Sequence, residues 1–242
     1  MCVNASKCNI MHLSRSRHQL SKFYSLNNTI LEVVSSAKYL GVTITDDLQW
    51  SSHVSNICNR GNRLLGFLRR NLHGCPPKLK ETAYIAMVRS VLEYGATIWD
   101  PYLKKDISSI EKIQRRAARF VKSDYRYTSS VSRMISELGW RDLDLRRRDM
   151  RLALLFKVVN PHGKEYYAVT AENLNLQKAD TRTRKNHPWK FRESLPKSTE
   201  FKNFFPYNTI ADWNKLSASV VSAPSLTSFK TRLTETGAKV LD

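Results

Sequence analysis

The 242-residue chain is 41% hydrophobic and carries 40 Lys and Arg against 21 Asp and Glu, a formal net charge of +19. The hydrophobic content excludes a wholly disordered chain, and the length allows one large or two small domains. Because like charges repel in a compact state, this positive excess indicates a polyanionic partner. Nucleic acid is a stronger candidate for that partner than an anionic membrane.

The hydropathy and the cysteine content of the chain indicate the cellular compartment to expect. No apolar run is long enough for a signal peptide or a membrane span, so we expect an intracellular protein, nuclear or cytoplasmic. Four cysteines in a chain of this size do not predict a secreted disulfide framework: Cys2, Cys8, Cys58 and Cys75. The series Cys2, Cys8, His12 and His18 lacks zinc-finger spacing. We therefore expect structural cysteines, surface histidines and no metal site.

The first fifty residues predict β-strands. Asn27-Asn28 separates two alternating runs, 23–26 and 30–34, which is typical of a β-hairpin. A third run, 38–45, is rich in β-branched residues and predicts another strand, closed by Asp46-Asp47. These runs together predict a small antiparallel unit.

The apolar period becomes helical from Ser51 onward. One stripe has the spacing of a single helical face: Val54, Ile57, Cys58, Gly61, Leu65, Leu68 and Leu72. Cys75-Pro76-Pro77 ends this helix, and a second is predicted from Lys78 to about Tyr94. Because the second helix is apolar almost all round, we expect it in the middle of a helical bundle.

A third helix, predicted from Lys104 to Lys122, has two contrasting faces. One face is cationic: Lys112, Arg115, Arg116, Arg119 and Lys122. The other is apolar: Ile110, Ile113, Ala117, Phe120 and Val121. A solvated surface is the alternative interpretation of the cations. The scarcity of acids and the predominance of arginine, whose planar fork matches phosphate, favour binding to a phosphate backbone.

The remaining elements extend the basic character of the chain. Helices are predicted over 130–138, ended by Gly139, and over 143–159, where Arg147 and Arg151 are further candidate phosphate contacts. Tyr125 and Tyr127 could stack on a base or pack in the core. A basic connector containing Thr181–Lys185 should lead to an aromatic core around Phe204 and Trp213. Ser225 should cap a last helix that ends near Leu233.

Several sequence blocks carry a family resemblance. They are Lys38-Tyr-Leu-Gly-Val-Thr-Ile, Asp47-Leu48-x-Trp50-x-x-His53-Val54, Leu65–Leu72, Leu92-Glu93-Tyr94 with Trp99-Asp100-Pro101, Glu111–Phe120, Phe204-Phe205-Pro206, Thr209-Ile210-x-x-Trp213-Asn214 and Pro224-Ser225-Leu226-x-x-Phe229-Lys230. In this order they resemble the end of the reverse transcriptase domain of LINE-type (non-LTR, jockey-like) retrotransposons, and they cover nearly the whole chain.

The resemblance implies an α+β, mainly α fold. Its parts would be a partial palm over 1–50, a thumb-like helical bundle over 51–160, a basic connector over 161–200 and a C-terminal aromatic and helical segment over 201–242. Tyr39, Leu40 and Gly41 match the primer grip, the hairpin that holds the 3′ end of the growing strand. Lys7, in Asn4-x-x-Lys7-Cys8, matches a palm motif whose lysine has been proposed to assist pyrophosphate departure.

The chain departs from the family in its catalytic motif. Polymerases of this family hold two Mg²⁺ ions with three carboxylates, two of them from a Phe/Tyr-x-Asp-Asp hairpin. No such hairpin sequence occurs in this chain, and Asp46-Asp47 has the neighbours of a turn or cap. We therefore expect no catalysis by this chain alone and no cofactor of its own, since Mg²⁺ is needed only in the complete parent enzyme.

The expected function is that of a reverse transcriptase fragment that grips RNA–DNA hybrid or duplex nucleic acid. The missing fingers and palm portion of the parent enzyme is a further candidate partner. Two alternatives stay open: a truncated relic with no binding role, and an incomplete gene model of an active reverse transcriptase.

Overall fold

The chain divides into two units, and both are discontinuous in sequence. The computed structural model describes residues 4–14, 22–159, 176–179, 187, 189–193 and 198–238. Unit 1 comprises Met1–Leu92 and Pro101–Ser123, and unit 2 comprises Glu93–Asp100 and Asp124–Asp242. The predicted domain boundaries at residues 50, 160 and 200 stay predictions.

Unit 1 begins with a short 3₁₀ turn, Ala5–Lys7, followed by paired strands. The strands are β1 (Asn9–Ile10), β2 (Ser25–Leu26), β3 (Thr29–Ile30), β4 (Glu32–Val33), β5 (Ser36–Tyr39) and β6 (Val42–Thr45). Strands β2 and β3 form the predicted antiparallel hairpin, in which Asn27 and Asn28 take φ of 49° and 62°. Such left-handed conformations suit Asn and match the twist of the strands. Strands β1 and β4 pair in parallel, which the sequence pattern did not predict.

The run 38–45 forms a hairpin, and the prediction of a single strand there is wrong. Strands β5 and β6 pair with Tyr39 opposite Val42 and Lys38 opposite Thr43. Between them Leu40 and Gly41 take φ of 46° and 88°. A two-residue turn with positive φ at both positions favours glycine, which lacks a Cβ.

The helices follow in chain order. They are α1 (Ser51–Asn71), α2 (Pro77–Ala83), α3 (Ser90–Glu93), α4 (Ala96–Trp99), α5 (Lys104–Lys122), α6 (Val131–Glu137), α7 (Leu143–Val159), α8 (Thr199–Lys202), α9 (Phe205–Trp213), α10 (Ala218–Val221) and α11 (Leu226–Ala238). The prediction of a mainly α, α+β fold is therefore confirmed. The boundaries of α5 and α7 are those predicted from the apolar period.

The core of unit 1 lies among α1, the α2–α3 segment and α5. Six residues of the predicted α1 stripe are buried: Val54, Ile57, Cys58, Gly61, Leu65 and Leu68. A π-helical turn, Tyr84–Arg89, joins α2 to α3, and Tyr84 and Val88 within it are fully buried. Leu79 and Met87 are 49% and 37% exposed. The prediction that this segment lies in the middle of a bundle is therefore wrong for the face that carries Leu79 and Met87.

The core of unit 2 is built on α7, α9 and α11. Buried apolar residues from these helices form most of it: Leu152, Leu155, Phe156, Ile210, Trp213, Phe229 and Leu233. The rings of Phe156 and Phe229 stack with centroids 4.4 Å apart, which fixes α11 on α7. Trp213 is buried as predicted, but Phe204 is 55% exposed, so its predicted core position is wrong.

Gly139 and Ser225 lie at helix ends of unit 2, as the sequence predicts. The Ser130 hydroxyl accepts a hydrogen bond from the Arg133 N–H, and Gly139 takes φ of 64° after α6. The Ser225 hydroxyl accepts from the Ser228 N–H at 3.1 Å at the start of α11. The predicted connector segment Thr181–Lys185 lies outside the described residues.

Candidate nucleic-acid interface

Helix α5 carries the predicted cationic face. Its opposite side is buried in the core of unit 1: Ile110, Ile113, Ala117, Phe120 and Val121. This burial turns the basic side chains outward: Lys112, Arg115 and Arg116 are exposed, and Arg119 and Lys122 are half-buried. The helix has two acids, of which Asp106 is buried and accepts a hydrogen bond from the Ser51 hydroxyl at 2.7 Å. A row of cations therefore faces outward along one side of the helix.

A polar groove of about 290 Å³ runs between α5 and α1. Its walls include hydroxyl and amide groups of Ser55, Asn59, Asn62 and Ser109, together with the cations Lys112 and Arg116. The Arg116 guanidinium donates to the Asn62 side-chain oxygen at 2.9 Å. Hydroxyl, amide and guanidinium groups are the donors that proteins direct at phosphate and sugar oxygens. The groove thus continues the polar surface from the cationic face onto α1.

Helix α1 is itself positively charged. It contains four arginines and no acid, and Arg60, Arg63, Arg69 and Arg70 are all exposed. The pairs Ser51 with Asp106 and Asn62 with Arg116 show that α1 and α5 run in the same direction. The two helices therefore lie side by side.

Two features fix the position of α5. A Cβ at Gly61 of α1 would lie 3.1 Å from Leu92 Cδ2 and 3.4 Å from Ile113 Cδ1, so glycine permits this close approach. At the other end, the buried Lys80 ammonium donates to the Ser123 hydroxyl at 2.7 Å. A cation at a helix carboxyl end is favourable because the helix dipole is negative there.

The hairpin β5–β6 exposes the predicted primer-grip residues. Tyr39 and Leu40 are 66% and 74% exposed, while Val42 beside the turn is buried. The Thr43 N–H donates to His53 Nδ1 at 3.1 Å, and the Asn56 amide donates to the Thr43 hydroxyl at 3.3 Å. The hairpin is therefore anchored on α1, with its turn exposed.

His53 makes this anchorage sensitive to acid. Burial, with a smaller contribution from Lys38, lowers the pKa of His53 below its usual value. The folded state then binds fewer protons than the unfolded state, so His53 stabilises the fold fully above about pH 6.5 and this contribution is lost as pH falls. We expect the melting temperature to fall between about pH 7.5 and pH 5.5.

Circular-dichroism melting of two variants tests this expectation. His53→Asn, which keeps an acceptor but cannot titrate, should show a smaller fall in melting temperature than the wild type. The matched control His73→Asn, at an exposed position, should keep the full fall. Buried His187 supplies the remainder, since burial lowers its pKa too. An identical pH dependence in His53→Asn and the wild type would contradict the assignment to His53.

Arg147 and Arg151 do not contribute to this surface. They are 0% and 5% exposed, and their Nε atoms donate to the two carboxylate oxygens of Asp100 at 2.8 and 2.7 Å. Arg151 also donates to Asp212 at 3.2 Å. The prediction that these arginines bind phosphate is wrong, because both guanidinium groups lie inside unit 2. Their partner is Asp100, in the Trp99-Asp100-Pro101 block, a role that the residue pattern alone does not predict.

The structure also gives the positions of the other residues that the sequence singles out. Lys7 is exposed at the end of the 3₁₀ turn. Asp47 accepts from the Thr45 hydroxyl at 2.6 Å and the Gln49 N–H at 2.9 Å, which confirms its predicted turn role. These bonds also lower the pKa of Asp47. Tyr125 and Tyr127 are 52% and 100% exposed, so neither ring packs in the core as the alternative interpretation required.

Neither a metal cluster nor a membrane span is present in the described part of the chain. Over those residues, no group of three or more His, Cys, Asp or Glu side chains could hold a metal ion. Of the four cysteine and histidine residues considered above as a zinc site, Cys2 and His18 lie outside the described residues. None of the described helices has the length and apolar character needed to cross a bilayer.

Comparisons with known proteins give three relatives from Drosophila melanogaster. The chain is 28% identical over 103 residues to a 115 kDa protein in the type-1 retrotransposable element R1DM, which is 40% of this chain and 10% of the relative. It is 26% identical over 170 residues to "Probable RNA-directed DNA polymerase from transposon X-element", 68% of this chain and 17% of the relative. It is 28% identical over 99 residues to the corresponding protein from transposon BS, 40% of this chain and 11% of the relative.

These matches cover much of this chain but only a small part of each relative. The chain spans between 10% and 17% of the length of the proteins it matches. No protein-family model and no solved structure matches it. The three relatives confirm the resemblance to non-LTR retrotransposon proteins that the sequence blocks predicted.

Proposed function

We propose that this chain is the thumb-like part of a retrotransposon reverse transcriptase and grips the template-primer through phosphate contacts. Two relatives carry the name of an RNA-directed DNA polymerase, an activity whose substrate and product are nucleic acids. The observation that carries the proposal is the outward cationic face of α5. Lys112, Arg115, Arg116, Arg119 and Lys122 follow one another along a rigid helix. Such an array suits recognition of a regular phosphate backbone rather than of base edges.

The hairpin β5–β6 would supply the contact near the primer end. Its turn presents an aromatic ring at Tyr39 and an aliphatic side chain at Leu40, next to Gly41. Exposed aromatic rings stack on bases or sugars of nucleic acids with little sequence preference. In this proposal Tyr39, Leu40 and Gly41 hold the primer strand, while the cations of α5 hold the duplex behind it.

Unit 1 also exposes apolar side chains around its short strands. Phe23, Ile30 and Val33 are 88%, 70% and 54% exposed. Exposed apolar groups in neighbouring short strands are typical of a surface that packs against another part of a protein. We propose that the fingers and palm of the parent enzyme cover it and supply the carboxylates that hold Mg²⁺. The chain alone is then expected to bind without catalysing synthesis.

Binding to a fluorescent RNA–DNA hybrid with a recessed 3′ end tests the proposal. Log Kobs should fall linearly with log salt concentration, with a slope of about −3 to −5 if most of the five cations each contact one phosphate. The same hybrid with Mg²⁺ and deoxynucleotides should remain unextended. A chain that ignores the hybrid at about 50 mM salt would support the alternative of a relic with no binding role.

A further inference from the structure

A second basic cleft lies wholly within unit 2. It has a volume of about 450 Å³ and is lined mainly by α7 and α11. The stacked rings of Phe156 and Phe229 hold these two helices together beside it. No residue of α5 lines the cleft, so its properties are independent of the proposed phosphate interface. Its size falls within the range of small-molecule sites.

The floor of the cleft is apolar. Met150, Ala153 and Leu154 of α7 form one side, and Leu233 of α11 forms the other. Ala153 and Leu233 are buried, whereas Met150 and Leu154 are half-buried. An inorganic anion would gain nothing from such a floor, whereas a planar base or a sugar would bury apolar area against it.

The rim of the cleft is cationic. Arg141 donates to Asp149 at 2.6 Å, and Arg146 donates to both carboxylate oxygens of Glu93. Lys157 and Lys230 also line the cleft, so the described residues around it include four basic side chains and one carboxylate, that of Asp149. The excess of positive charge favours an anionic ligand and opposes a neutral one.

We propose that this cleft binds one nucleotide unit of a single-stranded nucleic-acid segment. The phosphate would lie at Lys157 and Lys230 on the rim, and the base would lie on the floor formed by Met150, Leu154 and Leu233. An acidic peptide would satisfy the rim but leave the apolar floor without a matching group. A single strand has unstacked bases that can enter a cleft, which a duplex lacks.

Photocrosslinking of the full chain to a short oligonucleotide that contains 5-iodouracil tests this site. The crosslinked peptides should contain Met150–Lys157 or Lys230–Thr234. Lys157→Ala/Lys230→Ala should lower the yield of these peptides roughly tenfold, because two phosphate-binding cations are lost. Lys78→Ala/Arg133→Ala, which removes two exposed cations outside both the cleft and the face of α5, should leave the yield unchanged. Circular-dichroism melting checks that each variant is folded.

Three outcomes would overturn the proposal. The first is that all crosslinks in the wild-type chain lie outside the cleft. This measurement does not depend on the folding of any variant. Poly-glutamate could displace the oligonucleotide as well as unlabelled oligonucleotide does, which would indicate an acidic-peptide site. Thymidine monophosphate could compete equally per nucleotide, which would indicate a free-nucleotide site. Retained cleft crosslinks with no effect of Lys112→Ala/Arg115→Ala on hybrid binding would instead overturn the phosphate interface of α5 alone.

Discussion

Replacing Lys112 and Arg115 by alanine should weaken binding of an RNA–DNA hybrid roughly tenfold at about 0.1 M salt. The slope of log Kobs against log salt concentration should become shallower by about 2, since two phosphate contacts are removed. Both side chains are exposed on α5, and its buried side is untouched. The melting temperature should therefore hardly change. Fluorescence anisotropy across a salt series measures both quantities.

A matched control separates this effect from a general loss of charge. Lys78→Ala/Arg133→Ala also removes two exposed cations, which pair with Glu81 and Glu137 of their own helices. Exposed pairs of this kind contribute little to stability, so this variant should also fold normally. It should bind the hybrid almost as well as the wild type. Equal losses in the two variants would show that net charge, rather than the face of α5, governs binding.

Replacing Asp100 by alanine should cost about 3–5 kcal/mol of the free energy of unfolding of unit 2. The Asp100 carboxylate accepts from the Nε atoms of both Arg147 and Arg151, and these side chains are buried. Removing the carboxylate leaves two guanidinium charges facing each other with part of their compensation lost. By contrast, Asp144→Ala removes an exposed carboxylate 3.5 Å from Arg147 and should cost about 1 kcal/mol or less.

Urea denaturation followed by tryptophan fluorescence measures this cost. Trp99, Trp140, Trp189 and Trp213, four of the five tryptophans, belong to unit 2, so the signal reports mainly on that unit. The triple variant Asp100→Leu/Arg147→Met/Arg151→Met removes the carboxylate and both guanidinium charges together. It should therefore be considerably more stable than Asp100→Ala. A cost below about 1 kcal/mol for Asp100→Ala would show that the arginines find other partners.

The sequence predicted elements best where one physical signal dominates. The limits of α5 follow from a helical apolar period that coincides with a cationic one, and both are visible in the residue order. Helix ends are also local features, because a capping hydroxyl or a left-handed residue acts on its own neighbours in sequence. The examples are Ser130, Gly139 and Ser225.

The errors arose where distant residues decide the outcome. Arg147 and Arg151 were assigned by charge, although they continue a four-residue series that begins at Leu143 and ends at Leu155, both fully buried. That spacing indicates a core position, and the ion pairs with Asp100, which is far away in sequence, explain how the two charges are tolerated there. The turn at Leu40-Gly41 follows from the primer-grip resemblance but not from the residue pattern, because the flanking β-branched residues are typical of one strand. The π-helical turn after Ala83 has no clear sequence signal.

The discontinuity of unit 2 has a consequence for synthesis and for expression. Its first piece, Glu93–Asp100, leaves the ribosome before α5 and well before α7. Asp100 must therefore wait for Arg147 and Arg151, which are 47 and 51 residues downstream, so forming these ion pairs closes a long loop. A fragment that ends at Ser123 would contain Asp100 without its partners Arg147 and Arg151. A fragment that starts at Asp124 would contain the two arginines without Asp100. Neither unit can be produced by a single cut.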